Sequence, residues 1–321
     1  MIVFLLSVNK EGFKMIILGN QHQFTNIELS VLKKKFKNID YIFYSQNDTE
    51  DVTKMLLEII KHRVVKYIVL NTHHKVPKEL IKFLTLLNKN GIKYVTIQDL
   101  FKIELEKYYL PSRGTNINFL ADIKPYSKFK YIQKRLIDYV LSILVLLLTF
   151  PIMLLAMYKI KKESPDGDVL FKQKRVGKDN KDFVCYKFRS MRTDVEYQNN
   201  YTQEDDPRIF PWGKIMRQTR IDELPQIFNV LKGDMHFIGP RAEWNILVEQ
   251  YEKKIPCYNY RHSVKPGITG WAQVKYKYGA NVNDAREKLM YDLYYIKNWS
   301  IWLEIKTLFK TVAVVLGKEG V

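Results

Sequence analysis

The chain has 321 residues and carries 52 Lys and Arg against 34 Asp and Glu, a net charge of +18; it is 46% hydrophobic and 13% aromatic. Its length allows two domains of roughly 100–200 residues each, and its apolar content excludes a disordered chain. Cys185 and Cys257 lie far apart without CxxC spacing, which excludes a disulfide framework or a cysteine zinc cluster and suits two small buried hydrophobes in a reducing compartment, whereas the excess positive charge calls for an anionic partner: nucleic acid, a membrane surface or a phosphorylated substrate.

In the first part of the chain, apolar runs rich in β-branched and aromatic residues, at 15–19, 39–45, 65–71 and 92–97, alternate with segments of helical period. The second helical segment has Asp48 or Thr49 as N-cap and Lys61, His62 and Arg63 in its last turn. The third starts after Pro77 and stops at Asn90-Gly91. Strand–helix alternation of this kind predicts a parallel sheet covered by helices, a Rossmann-like domain over residues 1–125. After its first strand, LGNQHQ has one glycine where a dinucleotide fingerprint needs three, so regulation or oligomerisation, including a homodimer, is the expected role. His73-His74 follows the third strand, where open sheets keep ligands, but reads as polar surface.

A linker and membrane element are expected over 126–162. Tyr139 to Tyr158 is a run of 20 residues without a charge, just long enough for a helix to cross a bilayer. Pro151 inside it predicts a bend. Basic residues flank both ends, Lys128, Lys130, Lys134 and Arg135 before and Lys159, Lys161 and Lys162 after, and a spanning segment concentrates them on one side. The reading is therefore a re-entrant helix with both ends on one face. MIVFLLSVNK has too short an apolar stretch and no basic lead for a signal peptide, so both domains are expected in the cytoplasm.

Residues 169–194 interleave Lys172, Lys174, Arg175, Lys187, Arg189 and Arg192 with Phe171, Phe183, Tyr186 and Phe188. This pattern predicts strands with one anchored face and basic groups for lipid or substrate phosphates. No nucleic-acid-binding motif accompanies it. Further on, TRIDELPQIFNVLKGDMHFIGPR (219–241) places Asp222 and Glu223 just before Pro225, which predicts a helix starting at 222–225 with both carboxylates at its positive end. Arg217, Arg220, Lys232 and Arg241 surround them, and Gly233, Gly239 and Pro240 supply turns through which backbone can approach a ligand. Near the C-terminus, Trp299, Trp302, Leu303, Ile305, Leu308 and Phe309 beside Lys297, Lys306 and Lys310 suit either a soluble core helix or one lying in the headgroup plane.

Several ordered motifs carry a resemblance: the basic-flanked apolar segment with its proline, Lys187-Phe188-Arg189-Ser190-Met191, Arg217 followed by Asp222-Glu223-Leu224-Pro225-Gln226, Phe228-Asn229-Val230-Leu231-Lys232-Gly233-Asp234-Met235, Gly239-Pro240-Arg241, and the stretch Val264 to Val274. Over residues 130–320 the chain resembles the bacterial polyprenyl-phosphate phosphoglycosyl transferases of the monotopic bacterial sugar transferase type. It departs at the membrane bend, where Phe150 stands in place of a frequent Ser; Thr149 or Ser142 is then expected to satisfy the backbone freed by Pro151.

The resemblance implies a mixed α+β catalytic domain over 163–321 with interfacial helices, on the cytoplasmic face of the bacterial inner membrane. It implies transfer of a sugar 1-phosphate from a UDP-sugar to undecaprenyl (polyprenyl) phosphate with release of UMP, a first membrane step in glycoconjugate assembly. Asp222 is then the nucleophile that holds a covalent phospho-sugar, and also the Mg²⁺ contact; Glu223 serves metal or proton handling. Arg217 and Arg241 become phosphate clamps, Lys187 a contact for the lipid phosphate, and Arg261, Lys265 and Gln273 contacts for the nucleotide. The rival classes are a membrane-anchored regulatory protein that binds a UDP-sugar without turnover, and a glycosyltransferase that moves sugar alone and releases UDP.

Overall fold

The computed structural model describes residues 14–44, 49–62, 64–72, 75–110, 123–124, 126–195, 206–276, 279 and 281–317. Asp48, Arg63, His73, His74 and the opening MIVFLLSVNK lie outside them. The chain forms two compact units, 1–110 and 111–321.

In the first unit the β-branched runs form β1 (Lys14–Leu18), β2 (Asn38–Ile42), β3 (Val65–Leu70) and β4 (Lys93–Thr96), all parallel, in the order β2-β1-β3-β4. The segments of helical period form α1 (Asn26–Lys33), α2 (Thr49–His62) and α3 (Lys78–Lys89), followed by α4 (Ile97–Leu100) and a π-helical turn, Phe101–Leu105. Ile16, Leu18, Leu56, Ile68, Leu80 and Leu84 form a core between sheet and helices, each fully buried side chain contributing about 1.5–3 kcal/mol. The loop after β1 folds back on β3: Asn71 Oδ1 accepts from His22 N (2.8 Å), and Asn71 Nδ2 donates to His22 O (2.9 Å). A Cβ on Gly19 would lie 2.5 Å from Asn71 O, so only glycine permits this closure. Glu28 caps α1 through Thr25 and binds buried Lys107 at 2.6 Å.

The second unit opens with α5 (Lys128–Glu163), 36 continuous residues with Pro151 inside. Among the described residues it is the helix long and apolar enough to cross a membrane, with a mean hydropathy of 2.7 over its most apolar stretch. The hydroxyls expected to satisfy the carbonyl freed by Pro151, that of Leu147, do not reach it: Thr149 Oγ1 donates to Val145 O (2.7 Å), and Ser142 Oγ is buried without a partner among the described residues.

Both flanks of α5 pack on one body. On the N-terminal flank Lys134 and Asp138 are fully buried: Lys134 Nζ donates to Glu304 Oε2 (2.7 Å), and Asp138 takes His236 Nδ1 (2.6 Å) and Phe237 N (2.8 Å). On the C-terminal flank Met153, Ala156 and Ile160 join Phe188, Phe210 and Met216 in one core. Between the flanks Ile143, Leu144, Leu147, Leu148, Phe150 and Ile152 are exposed.

The basic-aromatic stretch is a hairpin, β5 (Leu170–Val176) antiparallel to β6 (Asp182–Phe188). Then come α6 (Pro211–Thr219), a 3₁₀ turn (Ile221–Glu223), α7 (Gln226–Lys232), β7 (His236–Ile238) and α8 (Asn245–Lys254). A second 3₁₀ segment (Tyr258–Ser263) leads to β8 (Gly267–Thr269), α9 (Trp271–Lys275), α10 (Val282–Lys297) and α11 (Ile301–Leu316), with β8 parallel to β7. Cys185 is buried and Cys257 half-buried, both free thiols.

Candidate active site

The Asp222-Glu223 pair sits differently from the sequence expectation. Arg220 takes a left-handed backbone (φ 60°) that ends α6, residues 221–223 make a single 3₁₀ turn, and α7 begins only at Gln226, after Pro225. Leu224 and Pro225 keep right-handed backbone between the turn and α7, and the groups that act on the two carboxylates are neighbouring cations. Glu223, 7% exposed, accepts on Oε1 from Lys187 Nζ (2.8 Å, β6) and Arg241 Nη2 (3.0 Å), with Arg220 Nη1 at 3.8 Å. Burial alone would raise its pKa, but Lys187, Arg241 and Arg220 outweigh it and hold the carboxyl well below the usual range. Asp222 is equally buried but has less support: burial and the adjacent Glu223 raise its pKa against the pull of Lys187, Arg217 and Arg220. Its Oδ1 is buried without a hydrogen-bond partner among the described residues. Two adjacent carboxyls are thus driven apart, one a fixed anion and one more basic with a free oxygen, a pattern that separates chemical roles.

Long-range packing builds this arrangement. Asn229 on α7, fully buried, accepts from Tyr186 N on Oδ1 (3.0 Å) and donates from Nδ2 to Val184 O (2.7 Å). It locks β6 onto α7 and so sets Lys187 beside Glu223. Arg241 follows β7, where Gly239 meets strand β8: a Cβ on Gly267 would fall 2.1 Å from Gly239 N, and one on Gly270 2.1 Å from Gly239 O. Gly239, expected to let backbone approach a ligand, instead lets two backbones meet, and Gly233 ends α7 with a left-handed backbone (φ 97°).

Of the residues singled out in the sequence, the structure gathers Asp222, Glu223, Lys187 and Arg241, with Arg217 acting on Asp222 through space. Arg261 is buried and turned inward: Nε and Nη2 bind Asp292 (3.0 and 2.8 Å), Nη1 binds Tyr258 Oη (2.8 Å), and Nη2 also donates to Arg241 O (2.9 Å). It braces the Arg241 backbone. Lys265 Nζ binds Tyr131 Oη of α5 (3.0 Å), and Gln273 Nε2 donates to Ile268 O (3.2 Å) while its Oε1 is buried and unpartnered. Arg189, grouped in the sequence with phosphate-facing residues, points into the protein, where Nε donates to Asp168 O and Nη2 to Ser164 O, both at 2.6 Å.

Arg175, grouped in the sequence with the other phosphate-facing cations but not singled out as a site residue, reaches the site. Arg175 on β5 lines a small cleft with Cys185, Lys187, Gln226 and Arg241, and its Nη1 donates to Ala242 O (3.2 Å). Burial and then Arg241 lower its pKa, two guanidinium groups crowded together in a way an incoming anion would relieve. No sequence signal separates Arg175 from the lysines around it.

The donor set also bears on metals. Among the described residues, no group of three or more His, Cys, Asp or Glu side chains is placed to hold an ion. Glu223 is engaged by cations, which leaves the free oxygen of Asp222 as the protein ligand on offer. That fits a Mg²⁺ bound through one carboxylate and the phosphates of a substrate, not an all-protein cage.

The family model for bacterial sugar transferases matches residues 129–318. The chain is 48% identical over 204 residues to the UDP-N-acetylgalactosamine-undecaprenyl-phosphate N-acetylgalactosaminephosphotransferase of Aeromonas hydrophila, an alignment covering 63% of this chain and 48% of that protein. It is 30% identical over 354 residues to the undecaprenyl-phosphate galactose phosphotransferase of Salmonella typhimurium, covering 98% and 71%. To the UDP-glucose:undecaprenyl-phosphate glucose-1-phosphate transferase of Escherichia coli it is 42% identical over 192 residues, covering 59% and 41%. The chain therefore spans about half the length of the Aeromonas protein.

Proposed function

Because this chain belongs to the bacterial sugar transferase family, we propose that it is a phosphoglycosyl transferase that moves a sugar 1-phosphate from a UDP-sugar to undecaprenyl phosphate. The observation that carries this reading is the division of labour between Asp222 and Glu223: a carboxyl with one unpartnered oxygen and a raised pKa beside one pinned among cations.

An oxygen of Asp222 attacks the β-phosphorus, the bond from that phosphorus to the bridging oxygen breaks, and UMP leaves with the electron pair. An oxygen of the lipid phosphate then attacks the same phosphorus and displaces Asp222, giving the polyprenyl diphosphate sugar. Lys187, Arg241, Arg175 and Arg217 offset the phosphate charges, and Glu223 keeps Lys187 and Arg241 in place between turnovers. Mg²⁺, held by Asp222 and the diphosphate, would add charge neutralisation on the donor. Arg261 positions Arg241; Lys265 and Gln273 stand as nucleotide contacts.

Apolar side chains are exposed along α5 from Leu136 to Tyr158, while Lys134 and Asp138 before Pro151 and Met153, Ala156 and Ile160 after it are buried against the rest of the second unit. With both flanks on one body, this supports a re-entrant, monotopic helix on the cytoplasmic face of the inner membrane. On α11, Ile301, Trp302, Ile305, Phe309, Val312 and Leu316 are exposed along one stripe, which suits a helix in the headgroup plane. The parallel order β2-β1-β3-β4 supports a Rossmann-like, regulatory or dimerising role for the first unit.

The test is incubation with UDP-sugar labelled at the β-phosphate, without acceptor, followed by rapid quench. UMP release in step with label on the peptide bearing Asp222 is expected; release of UDP, or an unlabelled peptide, overturns the assignment.

A further inference from the structure

β7 runs only from His236 to Ile238, and among the described residues its one strand neighbour is β8. Side chains from two helices hold it elsewhere. Asp138 of α5, fully buried, accepts from Phe237 N on Oδ1 (2.8 Å) and pairs through Oδ2 with His236 Nδ1 (2.6 Å), while Tyr295 Oη of α10 donates to Ile238 O (3.0 Å). One carboxylate of the membrane helix thus grips two consecutive residues of the strand. From Ile238 the chain runs through Gly239 and Pro240 to Arg241, the cation that reaches Glu223 Oε1 at 3.0 Å. That link has little slack. Pro240 has a fixed φ, its carbonyl accepts from Gly267 N (2.8 Å), and a Cβ on Gly239 would fall 2.9 Å from Lys265 O.

A counter-ion for Lys134 is the simpler role for Asp138, but the distances rank it second there: Lys134 Nζ lies 2.7 Å from Glu304 and 3.3 Å from Asp138. The short bonds of Asp138 go to β7 instead, and bonds to a charged acceptor fix geometry more tightly than neutral ones. Geometry is what a phosphate clamp needs, since a displacement of about 1 Å can cost roughly 10²-fold in rate. Resting on the reading of Arg241 as such a clamp, we propose that Asp138 is a positioning residue for the transfer: through β7 it sets where Arg241 stands, so the cationic cleft is complete only while α5 is docked. Asp138 acts through the strand and touches no reacting group.

Two conservative variants separate the two roles. Asp138→Asn loses the charge but keeps an oxygen for Phe237 N and an amide that can pair with Nδ1 of the other His236 tautomer. Asp138→Glu keeps the charge beside Lys134 but is one methylene longer and displaces β7. The full chain in vesicles of phosphatidylethanolamine and phosphatidylglycerol is assayed for donor-only UMP release and, independently of turnover, for the Kd of UDP. Asp138→Glu is expected to slow UMP release and weaken UDP binding at least about tenfold, and Asp138→Asn to stay within about threefold of the parent. Asp138→Glu should also cost nothing further once Arg241→Ala is present, because its effect passes through that side chain. Where Asp138→Glu does not fold, Tyr295→Phe, which frees Ile238 O, takes its place in the same cycle. A loss in Asp138→Asn with Asp138→Glu near the parent overturns the proposal in favour of the counter-ion role, and losses that multiply with Arg241→Ala overturn it in favour of general destabilisation. UDP binding that follows the expected order in a protein inert to every UDP-sugar would defeat the transferase reading alone, and UMP release indifferent to Asp138→Glu would defeat the positioning role alone.

Discussion

Lys187 Nζ lies 2.8 Å from Glu223 Oε1, and that same oxygen receives Arg241 Nη2 at 3.0 Å, so one carboxylate keeps two phosphate-binding cations in register. Asp222 makes no such bonds through Oδ1. Substitutions at the two positions should therefore separate. Asp222→Asn is expected to abolish phospho-sugar labelling, a loss of more than about 10³-fold in turnover, with thermal unfolding unchanged. Glu223→Gln should lower both turnover, by roughly 10²-fold, and thermal stability, since it frees two crowded cations. Turnover assays and melting curves on the pair check this; equal melting losses would refute it.

The packing of α5 makes a topological prediction. Lys128 and Lys162 are exposed at the two ends of a helix whose flanks both rest on the second unit. Cysteines placed there, Lys128→Cys and Lys162→Cys in a background lacking Cys185 and Cys257, should react with an impermeant maleimide together, and only after the cell membrane is opened. Reaction of one end in intact cells would establish a spanning helix.

His236 gives a pH signature. Burial lowers its pKa to about 4, against an opposing hydrogen bond to Asp138, with Lys134 and Lys265 also facing it. A folded-state value below the unfolded one of about 6.5 contributes stability above pH 6.5, and that contribution is lost as pH falls toward 4. The full window corresponds to about 3 kcal/mol. Thermal unfolding between pH 7 and 4 should fall more steeply in the wild type than in His236→Asn; parallel curves would contradict a neutral buried imidazole.

The strands of the first unit were legible because Ile, Val and Tyr runs such as VKYIVL bury both faces of a parallel sheet, so composition alone marks them. The punctuation by Pro77 and Asn90-Gly91 placed α3 within a residue or two. Around the site, local signals failed where long-range geometry decided. Pro225 marks the helix start to within a residue, yet the left-handed Arg220 inserts a 3₁₀ turn first, and Asp222 and Glu223 sit in that turn, just ahead of α7. Arg189 and Arg175 look alike in a basic run. Only the distant Ser164 and Ala242 carbonyls decide that the first is a strut and the second a wall of the cleft.

Asn229 illustrates the same point as a prediction. Its amide satisfies Tyr186 N and Val184 O of a neighbouring strand from a fully buried position. Each polar group stranded by its removal costs about 1–3 kcal/mol, so Asn229→Ala should destabilise the protein by about 2–5 kcal/mol and loosen Lys187. Chemical denaturation measures the first effect. A raised KM for acceptor with the donor half-reaction less affected would report the second, and a variant as stable as the parent would remove Asn229 from this role.

Lys134 carries the last test, because it joins the membrane helix to the C-terminal helix through charge. Its ammonium, fully buried, binds Glu304 at 2.7 Å and Asp138 at 3.3 Å, while Glu304 is also held by Trp299 Nε1 (2.6 Å) and the Tyr295 hydroxyl. Desolvating these ions is costly, and removing one partner of such a pair typically costs 3–5 kcal/mol because the other charge is left buried alone. Lys134→Met should therefore lose about that much stability and release α11 from α5. Replacing the nearer partner as well, Lys134→Met with Glu304→Gln, removes that stranded anion while an amide can still accept from Trp299, and Asp138 keeps His236 and Phe237 N. The double variant is expected to recover more than half of the loss, a coupling that unfolding measurements on the two singles and the double would read directly. Additive losses would mean that the pair does not hold the helices together, and that apolar contacts alone seat α5 on the catalytic unit.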